Sequence, residues 1–163
     1  MFGLNQHGVN VYAKIGVETG VLAASPNKLI IMLYEGAIAA CHSAIVHMQN
    51  GDIPNKGSML SKAIIIIESG LRLSLDKKAG GEVAASLDSL YAYMSHRLTI
   101  ANIRNQPELV QEVIKLLTEL KTAWEAIGNE QAKSSSIAQM AVPAIPGQNQ
   151  LTQSRHIVNY AGA

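Results

Sequence analysis

Apolar residues recur at helical spacing in four successive stretches, and the first stretch breaks the usual pattern. From Leu29 to Val46 the only formally charged residue is Glu35. A surface helix ordinarily carries one apolar stripe and one charged face. Here apolar positions run nearly all the way round, so this helix is expected to bury more than one side, within the domain or under a partner. Its start is well signalled. Ser25 can cap the free N–H groups and Pro26 fits the first helical position, which predicts a helix over 26–49.

The next three stretches keep the helical period. Met59, Leu60, Ala63, Ile64, Ile67, Leu71 and Leu75 predict a second helix over 56–75. Its β-branched run 64–67 suits a strand by propensity, but the longer periodicity outweighs that. Asp76 to Gly81 reads as a loop, with the glycine pair stopping a helix. Val83, Leu87, Leu90, Tyr91, Met94, Leu98 and Ala101 predict a third helix over 82–104. Asn105 and Glu108 have capping-box spacing. Leu109, Val113, Leu116, Leu117, Leu120, Trp124 and Ile127 then predict a fourth, closed by Gly128 and Asn129. Four helices of about 20 residues with short turns make an antiparallel up-down four-helix bundle over 25–130, an all-α fold.

The flanks differ. Residues 1–24 hold Tyr12, Ile15, Val17 and Val21, broken by Gly16 and Gly20, and are expected to be a mobile arm or short helix. Residues 131–163 are rich in Ser, Gln, Asn, Pro and Gly and are expected to be a largely disordered tail.

Composition alters the picture in one respect. Charged residues are 15% of the chain, against roughly 25% in an average domain, and mean hydropathy is +0.13. So apolar a chain points to a partner surface. A net charge of +1 gives no electrostatic case for nucleic acid or an anionic membrane. Span 29–46 is barely long enough to cross a bilayer and holds Glu35 and His42, so stable membrane insertion is not expected. No basic region followed by an apolar run opens the chain, so no signal peptide is expected. Cys41 is the only cysteine, which rules out an internal disulfide and suits a reducing compartment.

Candidate chemistry is sparse. His42 and His47 are five apart and do not share a helix face, and no Glu-x-x-His pair exists for a di-iron site, so no metal or cofactor is expected. Cys41 and His42 are neighbours whose side chains diverge on a helix, and Cys41 reads as inert core. Gly80-Gly81-Glu82 lacks the Lys-Ser/Thr of a phosphate loop. No carboxylate pair sits in an apolar run. The chain does not read as an enzyme. Tyr91 reads as core, and Tyr93 points elsewhere.

The assembled residues resemble the flagellar secretion chaperones, the FliS family. The resemblance lies in Ala24-Ser25-Pro26 with Leu29-Ile30 and Met32-Leu33-Tyr34-Glu35-Gly36-Ala37. It continues through Leu75-Asp76 with Gly80-Gly81-Glu82-Val83-Ala84 and Leu87, through Leu90-Tyr91, Tyr93-Met94, Leu98 and Ala101-Asn102, and through Glu112-Val113, Leu116-Leu117 and Trp124. It spans about residues 10–127. Ala23 stands where the family usually has Thr, and Glu35 where it has Asp. The resemblance implies a cytoplasmic export chaperone that binds the C-terminal, polymerisation-prone segment of flagellin along apolar grooves. It further implies handover to the cytoplasmic domain of the flagellar export gate. Helix-in-groove recognition needs an apolar, non-catalytic bundle. Groove candidates lying off the main core stripes are Ile31, Met32, Tyr34, Ile65, Ile66 and Leu73, with Tyr93, and with Tyr12 and Ile15 of the arm. The alternative is a non-catalytic helical protein that uses the same apolar face to dimerise or regulate.

Overall fold

Ser25 begins the fold as its residue type suggests: its hydroxyl accepts from Lys28 N–H at 3.2 Å and starts α1, Pro26–Gln49. The computed structural model describes residues 24–140. The arm, with Tyr12 and Ile15, lies outside the described residues, as does the chain after Met140.

Helix α2, Ile53–Ile65, starts earlier than the sequence suggests, because Asp52 rather than a later residue is its cap. The Asp52 carboxylate accepts from Asn55 N–H at 3.3 Å, and Pro54 falls in the first turn, where it costs no hydrogen bond. The expected continuous helix to Leu75 is two geometries in series. From Ile66 to Arg72 the backbone is π-helical, and Leu73 N–H reaches back to Glu68 O at 3.2 Å.

Helix α3, Lys77–Arg104, takes in the expected loop. Asp76 caps a short first turn, accepting from Lys78 and Ala79 N–H at 3.1 and 3.0 Å, and the chain then bends at Gly81, whose φ of 52° and ψ of −129° suit only glycine. Asn105 ends α3 in the left-handed conformation, so it is a C-cap and not the expected N-terminal capping box.

Helix α4, Pro107–Met140, overruns the expected stop. Gly128 and Asn129 do not close it, and residues 131–140, expected to be disordered, are helical. A single glycine weakens a helix by only about 1 kcal/mol. The hydroxyls of Ser134, Ser135 and Ser136 donate back to the carbonyls of Glu130, Gln131 and Ala132. The compact unit ends at Asn129, and every side chain from 130 to 138 is exposed.

Named contacts order the bundle. Gly36 meets Ile66 and Leu33 covers Gly70, pairing α1 with the α2–π helix. Arg72 reaches Asp88 and Lys56 reaches Asn102, pairing that helix with α3. Arg97 binds Glu112 at 2.8 Å, pairing α3 with α4. Lys121 meets Glu35 at 3.2 Å and Asn27 donates to Trp124 O at 3.3 Å, which returns α4 to α1. Where two contacts are named for a pair, residue numbers rise on one helix as they fall on the other, and the short turn at 105–106 reverses the chain between α3 and α4, so the bundle is up-down-up-down, as the spacing predicted. The core follows the stripes: Ala37, Ala40, Cys41 and Ala44 of α1 face Leu60, Ile67, Leu71, Met94, Leu98 and Leu117. Each large side chain fully buried there is worth about 1.5–3 kcal/mol. Small residues on α1 let its neighbours approach on several sides. Part of the apolar excess of α1, which is long and apolar enough by composition to span a bilayer, is thus used as core, while Leu29 and Val46 stay exposed.

Candidate functional site

Among the described residues, the α1–α2 hairpin and its π-helical turn carry most of the expected groove residues. Ile65 and Leu73 each follow a buried residue by two, Ala63 and Leu71, and therefore project outward. They are 62% and 78% exposed. Met32 precedes buried Tyr34 by two on α1 and is half-buried, while Leu29, one turn away, is 38% exposed. Beneath them Ile66 packs on Gly36 and Leu33 covers Gly70, which closes the hairpin, and Ile65 and Leu73 stand on an outer side that also carries exposed Ser61, Lys62 and Ser69.

Two of the expected groove residues belong to the core instead. Ile31 is 7% exposed and Tyr34 is fully buried. The spacing puts them off the main core stripe of α1, and although that helix is expected to bury more than one side, the sequence does not say which further sides are covered. Helices α2, α3 and α4 all touch α1, so its buried arc is wide enough to take in both. Ile66 is half-buried and packs on the core, so it contributes the floor of the face and not its rim.

Tyr93 is on the opposite side, at the α3–α4 seam. Its phenol donates to Glu112, and the Arg97 guanidinium lies 5.7 Å from its ring centre. The neighbouring carboxylate raises the Tyr93 phenol, and the phenol and Arg97 together lower Glu112. The structure therefore does not join Tyr93 to Ile65 and Leu73.

Exposed apolar residues that the sequence reading missed include Val46, Ile53 and Ile103. Ile103 was legible, since it follows buried Ala101 by two. Val83, expected on the core stripe, is 69% exposed, because the bend at Gly81 leaves Ala84 as the first buried residue of α3.

Most polar groups near this face are committed to each other, though the buried Ser95 hydroxyl makes no hydrogen bond of ordinary geometry. Burial pushes the Cys41 thiol up to about 12, which makes it a poor nucleophile. Arg72 lowers Asp88, and Ser95 and Arg72 lower Glu68. Arg72, Asp88 and Glu68, with Leu73, Leu75 and Lys77, line a surface pocket of about 300 Å³. Among the described residues no three His, Cys, Asp or Glu side chains are placed to hold a metal.

A family profile described as flagellar protein FliS matches residues 8–131. The flagellar secretion chaperone FliS of Salmonella typhimurium is 45% identical over 120 residues, covering 74% of this chain and 89% of that protein. The chaperone of the same name from Vibrio cholerae is 41% identical, covering 75% and 89%. That of Bacillus subtilis is 34% identical, covering 69% and 84%.

Proposed function

Because this chain belongs to the FliS family of flagellar secretion chaperones, and so is an export chaperone, we propose that its client is the C-terminal segment of flagellin. In this reading the client's helices lay their apolar faces on the outer face of the α1–α2 hairpin. The observation that carries this is the exposure of Ile65 and Leu73 on one helix of the hairpin, with Leu29 exposed and Met32 half-buried on the other. A monomer in water gains nothing by displaying large side chains on one face, and such faces usually mark partner sites. Amphipathic segments dock on grooves of this kind through apolar anchors one or two turns apart. Covering the polymerisation-prone segment lowers the free concentration of assembly-competent flagellin by mass action, with no reaction required. The loaded protein works in the cytoplasm and passes its client to the cytoplasmic domain of the export gate. Tyr93, on the far seam, and Tyr12 and Ile15 of the arm complete the proposed contacts of a client that wraps around the bundle.

Ile65→Asp tests the reading. The residue is exposed, so the bundle should melt as before. Placing a carboxylate under an apolar helix is costly, and affinity for a flagellin C-terminal fragment should fall at least tenfold, about 1.4 kcal/mol, in a calorimetric titration. An unchanged affinity would remove the hairpin face from the client site.

A further inference from the structure

The helix after Ile65 is held in a rare form. Seven residues, Ile66–Arg72, are π-helical, whereas such turns usually occur singly and often at functional places. Continued from α2 in α geometry, Arg72 would follow buried Ala63 by nine residues, about two and a half turns. It would then point away from the core and from α3. In the π register it lies against α3. Its Nε donates to Asp88 Oδ1 at 2.8 Å, its Nη2 to Asp88 Oδ2 at 3.4 Å and its Nη1 to Glu68 Oε2 at 2.9 Å. Lys77 Nζ is 3.3 Å from the same Asp88 oxygen. The planar guanidinium fork matches a carboxylate, which makes this pairing directional as well as attractive.

The same register decides where Leu73 goes. In α geometry Leu73, seven residues or about two turns after Ile66, would fall in line with Ile66 and so against α1. In the π register it is 78% exposed, and its N–H closes the last wide turn on Glu68 O. Arg72 and Leu73 are thus turned together, one toward α3 and the other toward solvent.

We propose that Arg72 is a positioning residue for client docking: its bonds to Asp88 and Glu68 hold the π register and so keep Leu73 turned outward beside Ile65. The proposal rests on the reading that this face takes the client. Without the latch the segment relaxes to α geometry, Leu73 folds toward α1 and the face loses an anchor.

The test uses the full-length protein and two variants, Arg72→Ala and Asp88→Asn, with two measurements. The first needs no client: nuclear Overhauser contacts between the Leu73 methyls and Leu33 should appear in both variants and be absent in the parent. The second is calorimetry with a flagellin C-terminal fragment, in which both variants should bind at least tenfold more weakly. A third protein joins Arg72→Ala to deletion of the exposed Ser69. With one residue fewer, plain α geometry keeps Leu71 two turns from Ala63 and Leu73 facing outward with no latch, so affinity should return to within about threefold of the parent. A merely structural role for Arg72 would not produce this rescue. Unchanged affinity in both variants, failure of the deletion to restore binding, or no new Leu73–Leu33 contact would each overturn the proposal. If the parent itself does not bind the fragment, the client reading fails, and the Overhauser contacts still report whether Arg72 sets the register.

Discussion

Tyr34 and Tyr91 meet at the bundle centre, their phenol oxygens sharing a hydrogen bond. One belongs to α1 and the other to α3, so the pair ties the diagonal of the bundle, and each hydroxyl satisfies the other where water is excluded. Burial is the main cause that raises both phenols above their ordinary value of 10.0. A group whose folded value exceeds its unfolded one supports the fold fully below the unfolded value and loses that support as pH climbs toward the folded one. The melting temperature should therefore hold up to about pH 10 and fall above it. Replacing both residues by Phe should flatten that fall, which thermal melts across the alkaline range would show. An equal fall in the double variant would assign the alkaline loss to other groups. Lys56 is a second residue-scale tie. It is 4% exposed, and its ammonium donates to Asn102 O and Asn105 Oδ1 at 3.0 and 3.4 Å. A cation at the last carbonyls of a helix complements the helix dipole, so it joins the start of α2 to the end of α3.

The elements are shaped by their interruptions. Gly81 bends α3 through a backbone conformation that an L side chain rarely adopts. Gly81→Ala should cost on the order of 1 kcal/mol or more, read as a lower melting temperature with flagellin affinity unchanged. A loss of binding with unchanged melting would mean that the glycine serves the partner instead. At the other end, α4 continues past the compact unit. Side chains there that stand in water contribute little to cooperative unfolding. Ending the chain at Gln131 should leave the melting transition within a few degrees. Loss of a cooperative transition would show that the segment after 131 supports the core. Both effects depend on residues the sequence displays openly, but the direction of the first was legible and the reach of α4 was not. Gly128 reads as a stop, yet its backbone stays helical and leaves room for Asn27, whose amide nitrogen fills the place a Cβ would take.

At the scale of the whole molecule, the bundle exposes an apolar face, and the arm before Ser25 carries Tyr12, Ile15, Val17 and Val21. If arm and client compete for that face, apparent affinity is reduced by the fraction of closed molecules. Deleting residues 1–20 should then tighten binding of a flagellin fragment about threefold to thirtyfold. Weaker binding after deletion would make Tyr12 and Ile15 direct client contacts. The sequence by itself determined the all-α class, the number and order of the helices and most of the core, because a 3.6-residue period and short turns leave a chain of this kind one economical way to bury its stripes. Leu60, Met94, Leu98 and Leu117 were legible on those grounds. The tertiary structure alone decided which face of α1 is free, since burial of Ile31 and Tyr34 depends on how many neighbours surround that helix. It alone decided the π register of Ile66–Arg72, which is set by a carboxylate on another helix at Asp88. It also separated Tyr93 from Ile65 and Leu73. Periodicity reports which side of a helix is apolar, but the distance between two helices is fixed only when all four pack together.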